Sequence, residues 1–401
     1  MNSRAWKARW TGAAALAAVL LLTGAGAGVA GADPTTPQAT AGAGAPDGAS
    51  VPNRAAAPDE PDTRAGTGLP AGTAVGWRVL GLAVAPEGTK AYVVAADRSG
   101  SRTPVVLRTV DLRSGAVVAE LPLAADGTAG RPVVSQDGRR LHVIVADRLV
   151  TVDTATGTVL SRTGAPEQER PAGWSPGALT GLAVSPDGSR VYVGQDGPAA
   201  DGLGVRPGRL LVFGADRAGS AGTVGSVPLP GHSVSGVALQ TGGAAAYVAT
   251  DLGVEHLDTT TAVPTVLRTV ARLGAATELT ASPDGLRVYA LGAQSSAGTG
   301  YAVDTATDLA RPVFTFATGP ADLHYVAVSP GGGRLYLLRD SWTPQAAVLS
   351  FDTATDAGLP GETLTGFGLE GVSATAVVPG GHALLLAGIR GDGSYLRTVA
   401  L

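Results

Sequence analysis

The chain has 401 residues, of which 44% are hydrophobic, and this is ample for a sizeable core. The formal net charge is −4, and no run of basic residues is present, which argues against nucleic acid or an anionic membrane as the partner. The absence of cysteine excludes disulfides, thiolate catalysis and cysteine-based metal sites. Glycine (58 residues) and proline (27) are abundant, which is typical of many turns and short strands rather than long helices.

The first 32 residues have the pattern of an export signal. A cationic start with Arg4, Lys7 and Arg9 precedes an apolar run, and small residues then end in an A-x-A sequence at Ala32. The apolar run is short for a transmembrane span. We therefore expect a signal peptide over 1–32 and a secreted, extracellular protein without a stable membrane span after processing. An N-terminal anchor that is never cut is the alternative.

Residues 33–73 form the next segment, which is rich in Pro, Ala, Gly and Thr and lacks apolar periodicity. Such a segment cannot bury enough apolar surface to offset the entropy of ordering. We expect a disordered linker here.

Beyond the linker, one short unit recurs seven times: an apolar run, a glycine-containing turn and a second apolar run. Its clearest copy is GLAVSPDGSRVYVG at 181–194. Spacings of 50, 50, 55, 42, 47 and 49 residues separate the turn glycines, which are Gly88, Gly138, Gly188, Gly243, Gly285, Gly332 and Gly381. Most copies carry a second hairpin around an Asp-Thr-x-Thr turn, such as DTATG at 153–157. These Asp and Thr side chains can bond turn amides, so their recurrence needs no catalytic explanation.

Two hairpins per copy make a four-stranded unit, and seven such units predict an all-β, seven-bladed β-propeller over 74–401. In blade 3 we expect strands near 179–185, 189–194, 209–213 and 223–228. The seventh copy reaches only its third strand, and a propeller with open ends would expose strand edges. We expect a segment within Gly66–Arg78 to fill the outermost place of blade 7.

A family resemblance follows from these turns. The stretches SPDGSRVYV, PDGLRVYAL and GGAAAYVAT, followed by DTATG-type turns, resemble the YVTN-type repeats of the lactonase-like, WD40-like propeller superfamily. The resemblance covers about residues 75–401. It implies the propeller fold, while the function stays open because such repeats serve binding proteins, surface proteins and some enzymes.

Two literal motif matches carry no chemistry. Residues 26–31 spell G-x-G-x-x-G inside the export signal, with no strand before them and no helix after them. Residues 173–177 spell G-x-S-x-G, but Pro176 follows the serine and has no N–H for an oxyanion hole.

Metal chemistry finds little support in the sequence. The five histidines fall in different blades without a short-range pair, and they are His142, His232, His256, His324 and His382. Lactonases of the gluconolactonase kind, which resemble this fold, hold calcium with carboxylates and asparagine, but Asn2 and Asn53 are the only asparagines and precede the propeller. We therefore predict no cofactor, while a divalent cation held by carboxylates in the central channel stays open.

The central channel holds the remaining candidates. When the inner strands are aligned on their turn glycines, most positions at the channel mouth are small, and four residues depart from this: Arg131, Glu278, His324 and Tyr325. Glu278 and His324 on adjacent blades could share a proton or bind a cation, and Arg131 could hold an anionic group. The alternative is that these side chains satisfy strand edges and channel water.

Aromatic residues divide into two groups. Trp77, Trp174 and Trp342 lie in connections, where they could stack on sugars, anchor a protein or cover the edge of a blade. The other group recurs in the second strand of its blades and is predicted to pack the core, and it consists of Tyr92, Tyr192, Tyr247, Tyr289 and Tyr336.

Two functions fit these observations. The first is an exported, non-enzymatic module, expected to be a monomer, that binds an unidentified protein or glycan through its loops or channel mouth. The second is a lactonase-like or lyase-like enzyme that uses Glu278 and His324, with or without a metal. The flexible tether and the lack of a dense catalytic constellation favour the first.

Overall fold

The computed structural model describes residues 72–98, 100–215, 221–271, 275–294, 297–315, 323–339 and 346–401. The predicted signal peptide and the predicted linker up to residue 71 lie outside the described residues and stay predictions. Within the described ranges, the elements are β-strands and one 3-10 helix, Pro360–Glu362. In these ranges no helix is long and apolar enough to cross a membrane.

The strands form seven blades around a ring, which confirms the predicted all-β propeller. The chain enters through β1 (Thr73–Gly76), and blade 1 consists of β2 (Arg78–Val84), β3 (Lys90–Ala96), β4 (Val105–Asp111) and β5 (Val117–Ala124). Blade 2 consists of β6 (Val133–Val134), β7 (Arg140–Val145), β8 (Arg148–Asp153) and β9 (Thr158–Gly164). Blade 3 consists of β10 (Leu179–Val184), β11 (Arg190–Gln195), β14 (Arg209–Ala215) and β15 (Ala221–Pro228), with a small hairpin of β12 (Ala199–Ala200) and β13 (Gly204–Val205) inserted after β11.

The remaining strands make up blades 4 to 7. Blade 4 consists of β16 (Val234–Leu239), β17 (Ala245–Thr250), β18 (Gly253–Asp258) and β19 (Thr265–Ala271). Blade 5 consists of β20 (Ala275–Ala281), β21 (Arg287–Gln294), β22 (Ala297–Asp304) and β23 (Ala310–Thr315). Blade 6 has β24 (Leu323–Val328), β25 (Arg334–Arg339) and β26 (Ala347–Asp352), and blade 7 has β27 (Gly371–Val377), β28 (Ala383–Arg390) and β29 (Gly393–Ala400).

Blade 6 differs from the others at its outer edge. Its fourth place is taken by an irregular segment that contains the 3-10 helix and touches β26 through isolated bridges at Val348–Leu364 and Phe351–Gly358. The Val348 N–H donates to the Leu364 carbonyl, and the Leu364 N–H donates to the Val348 carbonyl, both at 2.9 Å. The edge of β26 is therefore covered without a regular strand.

Blade 7 is completed by β1, as the sequence predicts. The sheet order is β1-β29-β28-β27, with Thr73 opposite Leu396 and Gly76 opposite Ser394. Val75 is completely buried in a core that blades 1 and 7 share. The start and the end of the propeller are thus joined by strand pairing and apolar packing, which leaves no open edge on β29.

The inner strands contact one another in the order β2, β6, β10, β16, β20, β24, β27 and back to β2. Successive strands of a blade run antiparallel, so the connections sort to two ends of the ring. The links between blades and the connections between second and third strands lie at one end, which we call the link end. The glycine turns and the Asp-Thr turns lie at the other, which we call the turn end.

The repeated turns have the local chemistry that the sequence predicts. All seven turn glycines have φ between 68° and 74°, a conformation that glycine adopts without a Cβ penalty. In blade 3 the Ser185 hydroxyl donates to Asp187 and accepts from the backbone N–H of Arg190. In blade 2 the Thr154 hydroxyl donates to the Gly138 carbonyl at 2.5 Å, which ties the Asp-Thr turn to the glycine turn beside it.

The recurring aromatic position of the second strand is core, as predicted. Its side chains are between 0% and 6% exposed, and they are Tyr92, Tyr192, Tyr247, Tyr289 and Tyr336. In blade 2 the same position holds His142, which is fully buried, and in blade 7 it holds Leu385.

Candidate functional site

The predicted channel residues lie on inner strands, but they do not form one contiguous group of blades. Arg131 is exposed just before β6 in blade 2. Glu278 is half-buried in β20 of blade 5, opposite Leu291. Since blades 3 and 4 stand between them in the ring, Arg131 and Glu278 do not come from neighbouring strands.

His324 and Tyr325 lie in β24 of blade 6, where His324 pairs with Leu338 and the register shifts at Tyr325. The strands β20 and β24 are neighbours in the ring, so Glu278 and His324 come from adjacent inner strands as expected. The side chains of His324 and Tyr325 lie outside the described part of the chain. A shared proton or ligand between Glu278 and His324 therefore stays a prediction.

Close contact between inner strands explains why this level of the channel holds glycine in blades 1 and 3. A Cβ at Gly81 would lie 2.8 Å from the Cα of Arg131, and a Cβ at Gly181 would lie 2.8 Å from the Cα of Gly236. Real Cβ atoms do not approach backbone this closely, so a side chain here would push two blades apart. Glycine at these two places is therefore a packing requirement.

Metal ligands do not gather in the described ranges. Among these residues no group of three or more His, Cys, Asp or Glu side chains stands close enough to hold an ion.

The sequence did not predict one feature of the link end, which is a pair of long connecting segments on blade 3. It combines the link 165–178, which leads from β9 to β10, with the connection 196–208, which carries the β12–β13 hairpin. We call these two segments the blade 3 lobe. In blades 2, 4 and 7 the connection between the second and third strands has only two residues, such as Ala146 and Asp147 in blade 2.

Backbone contacts hold the two segments of the blade 3 lobe together. Ser175 and Ala199 form a β-bridge, with N–H to O distances of 2.9 and 3.1 Å. The side chain of Gln168 is buried and spans both segments, since its Oε1 accepts from the Gly177 N–H at 2.9 Å and its Nε2 donates to the Asp196 carbonyl at 2.9 Å. The lobe is therefore an ordered body rather than a loose loop.

An arginine anchors the lobe to the blade beneath it. Arg209, the first residue of β14, donates from Nε to the Gln195 Oε1 at 2.7 Å and reaches the carbonyls of Pro166 and Glu167. Gln195 in turn donates to the Gly177 carbonyl at 2.8 Å. Burial lowers the pKa of Arg209, because the charged guanidinium loses water that these neutral acceptors replace only in part.

The outer surface of the lobe is apolar at its tip. Leu203 is 71% exposed and Val205 is 44% exposed, and both belong to the β12–β13 hairpin. Beside them the guanidinium of Arg206 lies 5.6 Å from the ring centre of half-buried Trp174. This arrangement offers apolar side chains next to an arginine–aromatic pair.

Trp77 in blade 1 has a similar setting. The guanidinium of Arg98 lies 5.2 Å from its ring, which is half-buried. Both described tryptophans are thus covered on one side by an arginine from the neighbouring connection, and Trp342 lies outside the described residues. Each of the two rings therefore contacts the neighbouring connection through an arginine.

A group of acidic side chains lies under the lobe, between blades 3 and 4. Asp196 accepts from the Val234 N–H at 2.8 Å, and burial together with the nearby charge of Asp251 raises the pKa of Asp196. Glu255 is fully buried and accepts from the Thr269 hydroxyl at 2.8 Å, and burial raises the pKa of Glu255. These groups resist ionisation because the interface removes them from water.

Asp251 behaves differently from its two neighbours. It accepts from the His232 N–H at 2.7 Å and the Ser233 N–H at 3.2 Å, and its Oδ2 lies 3.0 Å from the His232 Nδ1. Burial works to raise the pKa of Asp251, but the hydrogen bonds outweigh it and the pKa is lowered. The carboxylate fixes the link before β16 and thereby the base of the lobe, since the Gly197 N–H donates to the His232 carbonyl at 2.7 Å.

Comparison with known proteins supports the fold. No family model and no curated protein matches the chain. A solved chain of Kuenenia stuttgartiensis hydrazine synthase is similar at a TM-score of 0.59 and 15% identity, over 81% of this chain and 96% of that one. The β-propeller domain of Cps50 (Swd1) from Myceliophteria thermophila is similar at a TM-score of 0.60 and 12% identity, over 82% and 99%. At these identities the likeness shows the β-propeller fold and nothing about activity, and no family match bears on the YVTN-type resemblance.

Proposed function

We propose that this chain is an exported, non-enzymatic propeller that binds another protein through the blade 3 lobe. The observation that carries the proposal is the ordered lobe itself, with Leu203 71% exposed at its tip. A loop held by Gln168 and Arg209 has lost its conformational freedom before any partner arrives, so binding costs less entropy.

A protein partner fits the shape of the lobe better than a glycan. The β12–β13 hairpin exposes Leu203 and Val205, whereas a sugar needs an open aromatic face and polar groups around it. The nearest aromatic ring, that of Trp174, is covered by Arg206. Exposed apolar side chains beside an arginine–tryptophan pair are typical of the energetic centre of a protein interface.

Export is supported by the cationic, apolar and A-x-A pattern of residues 1–32. Mass spectrometry of the protein recovered from the culture medium tests it, because a mature chain beginning at Asp33 is expected there. Retention of the whole chain in the membrane fraction would show an uncleaved anchor instead.

The binding proposal is tested by comparing two matched surface variants of the full protein. Leu203→Asp changes the lobe tip, and Leu252→Asp changes an exposed leucine (45% exposed) at the same end of the ring on blade 4. Partners are captured from the native secretome and quantified by mass spectrometry. The protein captured by the wild type should fall about tenfold with Leu203→Asp and stay unchanged with Leu252→Asp.

Equal capture by both variants would contradict the role of the lobe. Binding to a glycan array that Leu203→Asp abolishes would assign the lobe to a carbohydrate and overturn the choice of a protein partner.

One observation favours a second candidate, an enzyme at the channel mouth, since Glu278 and His324 belong to the adjacent inner strands β20 and β24. Turnover of a lactone panel, measured with and without EDTA, tests this candidate. Activity that His324→Ala abolishes would establish the enzyme. If no lactone is turned over, with or without EDTA, binding remains as the single supported function.

A further inference from the structure

Blade 5 departs from the other blades at both of its turns. The residue after the turn glycine is Leu286, 62% exposed, where the other blades have Thr89, Arg139, Ser189, Ala244, Gly333 and His382. The fifth residue after the turn aspartate is Leu309, 70% exposed, where blades 1, 2, 4 and 6 have Ala116, Thr158, Val263 and Ala357. The propeller can therefore be built without leucine at either place.

The two leucines stand on one rigid platform at the turn end. The backbone N–H groups of the adjacent residues Asp304 and Thr305 donate, at 3.0 Å each, to the carbonyls of Leu309 and Leu286. The Thr305 hydroxyl donates to the Gly285 carbonyl at 2.8 Å, and the Gln240 amide of blade 4 donates to the same carbonyl at 2.9 Å. Leu286 and Leu309 are therefore two exposed apolar residues on neighbouring turns whose backbones are joined through Asp304 and Thr305, and we call them the blade 5 patch.

An ion pair joins the turn that carries Leu309 to blade 4. Asp308, next to Leu309, lies 2.9 Å from the Nε of Arg268, and the neighbouring Leu267 is 50% exposed. The ion pair thus holds the outer strand β19 beside the blade 5 patch.

Carboxylates border the blade 5 patch. Asp284 accepts through Oδ1 from the Ser282 hydroxyl and the Leu286 N–H, and Asp304 accepts through Oδ1 from the Thr307 hydroxyl and N–H. These bonds lower the pKa of both groups, so both are charged at neutral pH. Within the described ranges neither carboxylate takes part in a salt bridge.

The charge of Arg287 adds to the lowered pKa of Asp284 and of Asp304, but the hydrogen bonds and ion pairs of the nearby cations go to other residues. Arg287 donates to the Thr353 carbonyl of blade 6 and stands 3.8 Å from Asp356, and Arg311 pairs with the same aspartate. Arg268 is held by Asp308. The border of the patch is therefore acidic.

From this geometry we propose that the blade 5 patch is a docking site for a segment of a partner protein that carries basic residues around an apolar side chain. The apolar residue would cover Leu286 and Leu309, and lysine or arginine side chains would face Asp284 and Asp304. The blade 5 patch lies at the turn end and the blade 3 lobe lies at the link end. The two binding proposals can therefore be tested separately.

A random peptide library displayed on phage is the probe, selected on the immobilised full protein. The variant combines Leu286→Ser and Leu309→Thr, which are the residues that blades 3 and 2 have at these positions, so the turns should keep their structure. The matched control is Leu252→Ser at the link end. Equal Tm values of the wild type and the variants verify that folding is intact.

Enriched peptides should combine lysine or arginine with a bulky apolar residue, and their binding, measured by fluorescence anisotropy, should weaken with salt. Binding should fall about tenfold in the double variant and stay unchanged with Leu252→Ser. Asp284→Asn, which keeps the turn acceptor but removes its charge, should weaken binding and its salt dependence.

Three results would overturn the proposal. One is that no peptide binds the wild type better than the double variant, and another is that the enriched peptides are acidic. The third is a concentration-dependent dimer in analytical ultracentrifugation that the double variant loses, since the patch would then serve a second copy of this chain.

Discussion

His142 shows what a single substitution in a repeated position does to a blade. Its Nδ1 lies 3.1 Å from the Thr151 hydroxyl, while its Nε2 is buried without a hydrogen-bond partner in the described structure. Burial, with a smaller contribution from the charge of Arg140, lowers the pKa of His142 to about 4. The imidazole is therefore neutral at pH 7 and resists protonation in the folded state.

Acid should destabilise the protein through this histidine. Because the folded-state pKa of about 4 is below the unfolded value of 6.5, the unfolded chain binds the proton more tightly. The contribution of neutral His142 to the free energy of unfolding is fully present above pH 6.5. It is lost as the pH drops towards 4, and the loss is about 3 kcal/mol at most. In His142→Leu, which copies Leu385 of blade 7, the decline of Tm between pH 6.5 and 4 should be smaller.

The control for this measurement is His382→Leu, because His382 is exposed in the turn of blade 7. It should keep the wild-type dependence of Tm on pH. An unchanged dependence in His142→Leu would contradict the assignment.

At the scale of an element, the Asp-Thr turns differ in how they join neighbouring blades. Blades 1 and 2 place Gly115 and Gly157 in the left-handed conformation, whereas blade 5 places Asp308 there with φ 57°. The buried carboxylate of Asp308 lies 2.8 Å from the His256 Nδ1 and accepts from the Tyr247 hydroxyl at 3.3 Å. It also forms an ion pair with Arg268. The rings of Tyr247 and His256 stack at 4.7 Å, so this one turn fastens blade 5 to blade 4.

Replacement of Asp308 should show whether its contacts stabilise the protein by more than its left-handed backbone conformation costs. Asp308→Gly removes the steric cost of the left-handed backbone, which should stabilise the protein by about 1 kcal/mol. It also removes three contacts of a buried carboxylate, which should destabilise the protein. We expect a net loss of about 1–3 kcal/mol in the free energy of unfolding, measured by urea denaturation. Asp308→Asn tolerates the same backbone and keeps an acceptor, so its loss should be smaller. A gain of stability in Asp308→Gly would show that the network contributes less than the strain costs.

At the scale of the whole molecule, stability depends on how the ring is closed. The strand β1 has only four residues, yet Val75 is fully buried and its carbonyl accepts from the Arg108 Nη1 at 2.9 Å. The Thr73 hydroxyl also donates to the Gly115 carbonyl of blade 1 at 2.9 Å. The closing strand is therefore held by both blades that it joins.

Removal of this strand should loosen blade 7. We compare a chain shortened to begin at Gly72 with one that begins at Arg78. The second loses the buried valine and the pairing of β29, which should lower the Tm by roughly 5 °C. Amide exchange in β29 should also accelerate. Equal Tm values and equal exchange for the two chains would contradict closure by β1.

The propeller could be predicted because its signals are local and repeated seven times. A turn such as Ser185–Gly188 needs only its own residues to form, and each copy buries apolar side chains against the next. The place of β1 in blade 7 was predictable for a different reason, since an open edge beside β29 would be unstable.

What the sequence alone determined is therefore the repeat, the chemistry of its turns and the core positions of the tyrosines. The tertiary structure alone decided where the non-repeated residues act, because their partners are distant in sequence. Gln168 joins two segments of the blade 3 lobe, and Asp308 reaches into blade 4. The carbonyls of Leu286 and Leu309 accept from the neighbouring residues Thr305 and Asp304. The contacts of Gln168 and Asp308 do not repeat along the sequence, so no periodic pattern predicts them. They form only when folding has brought the blades together.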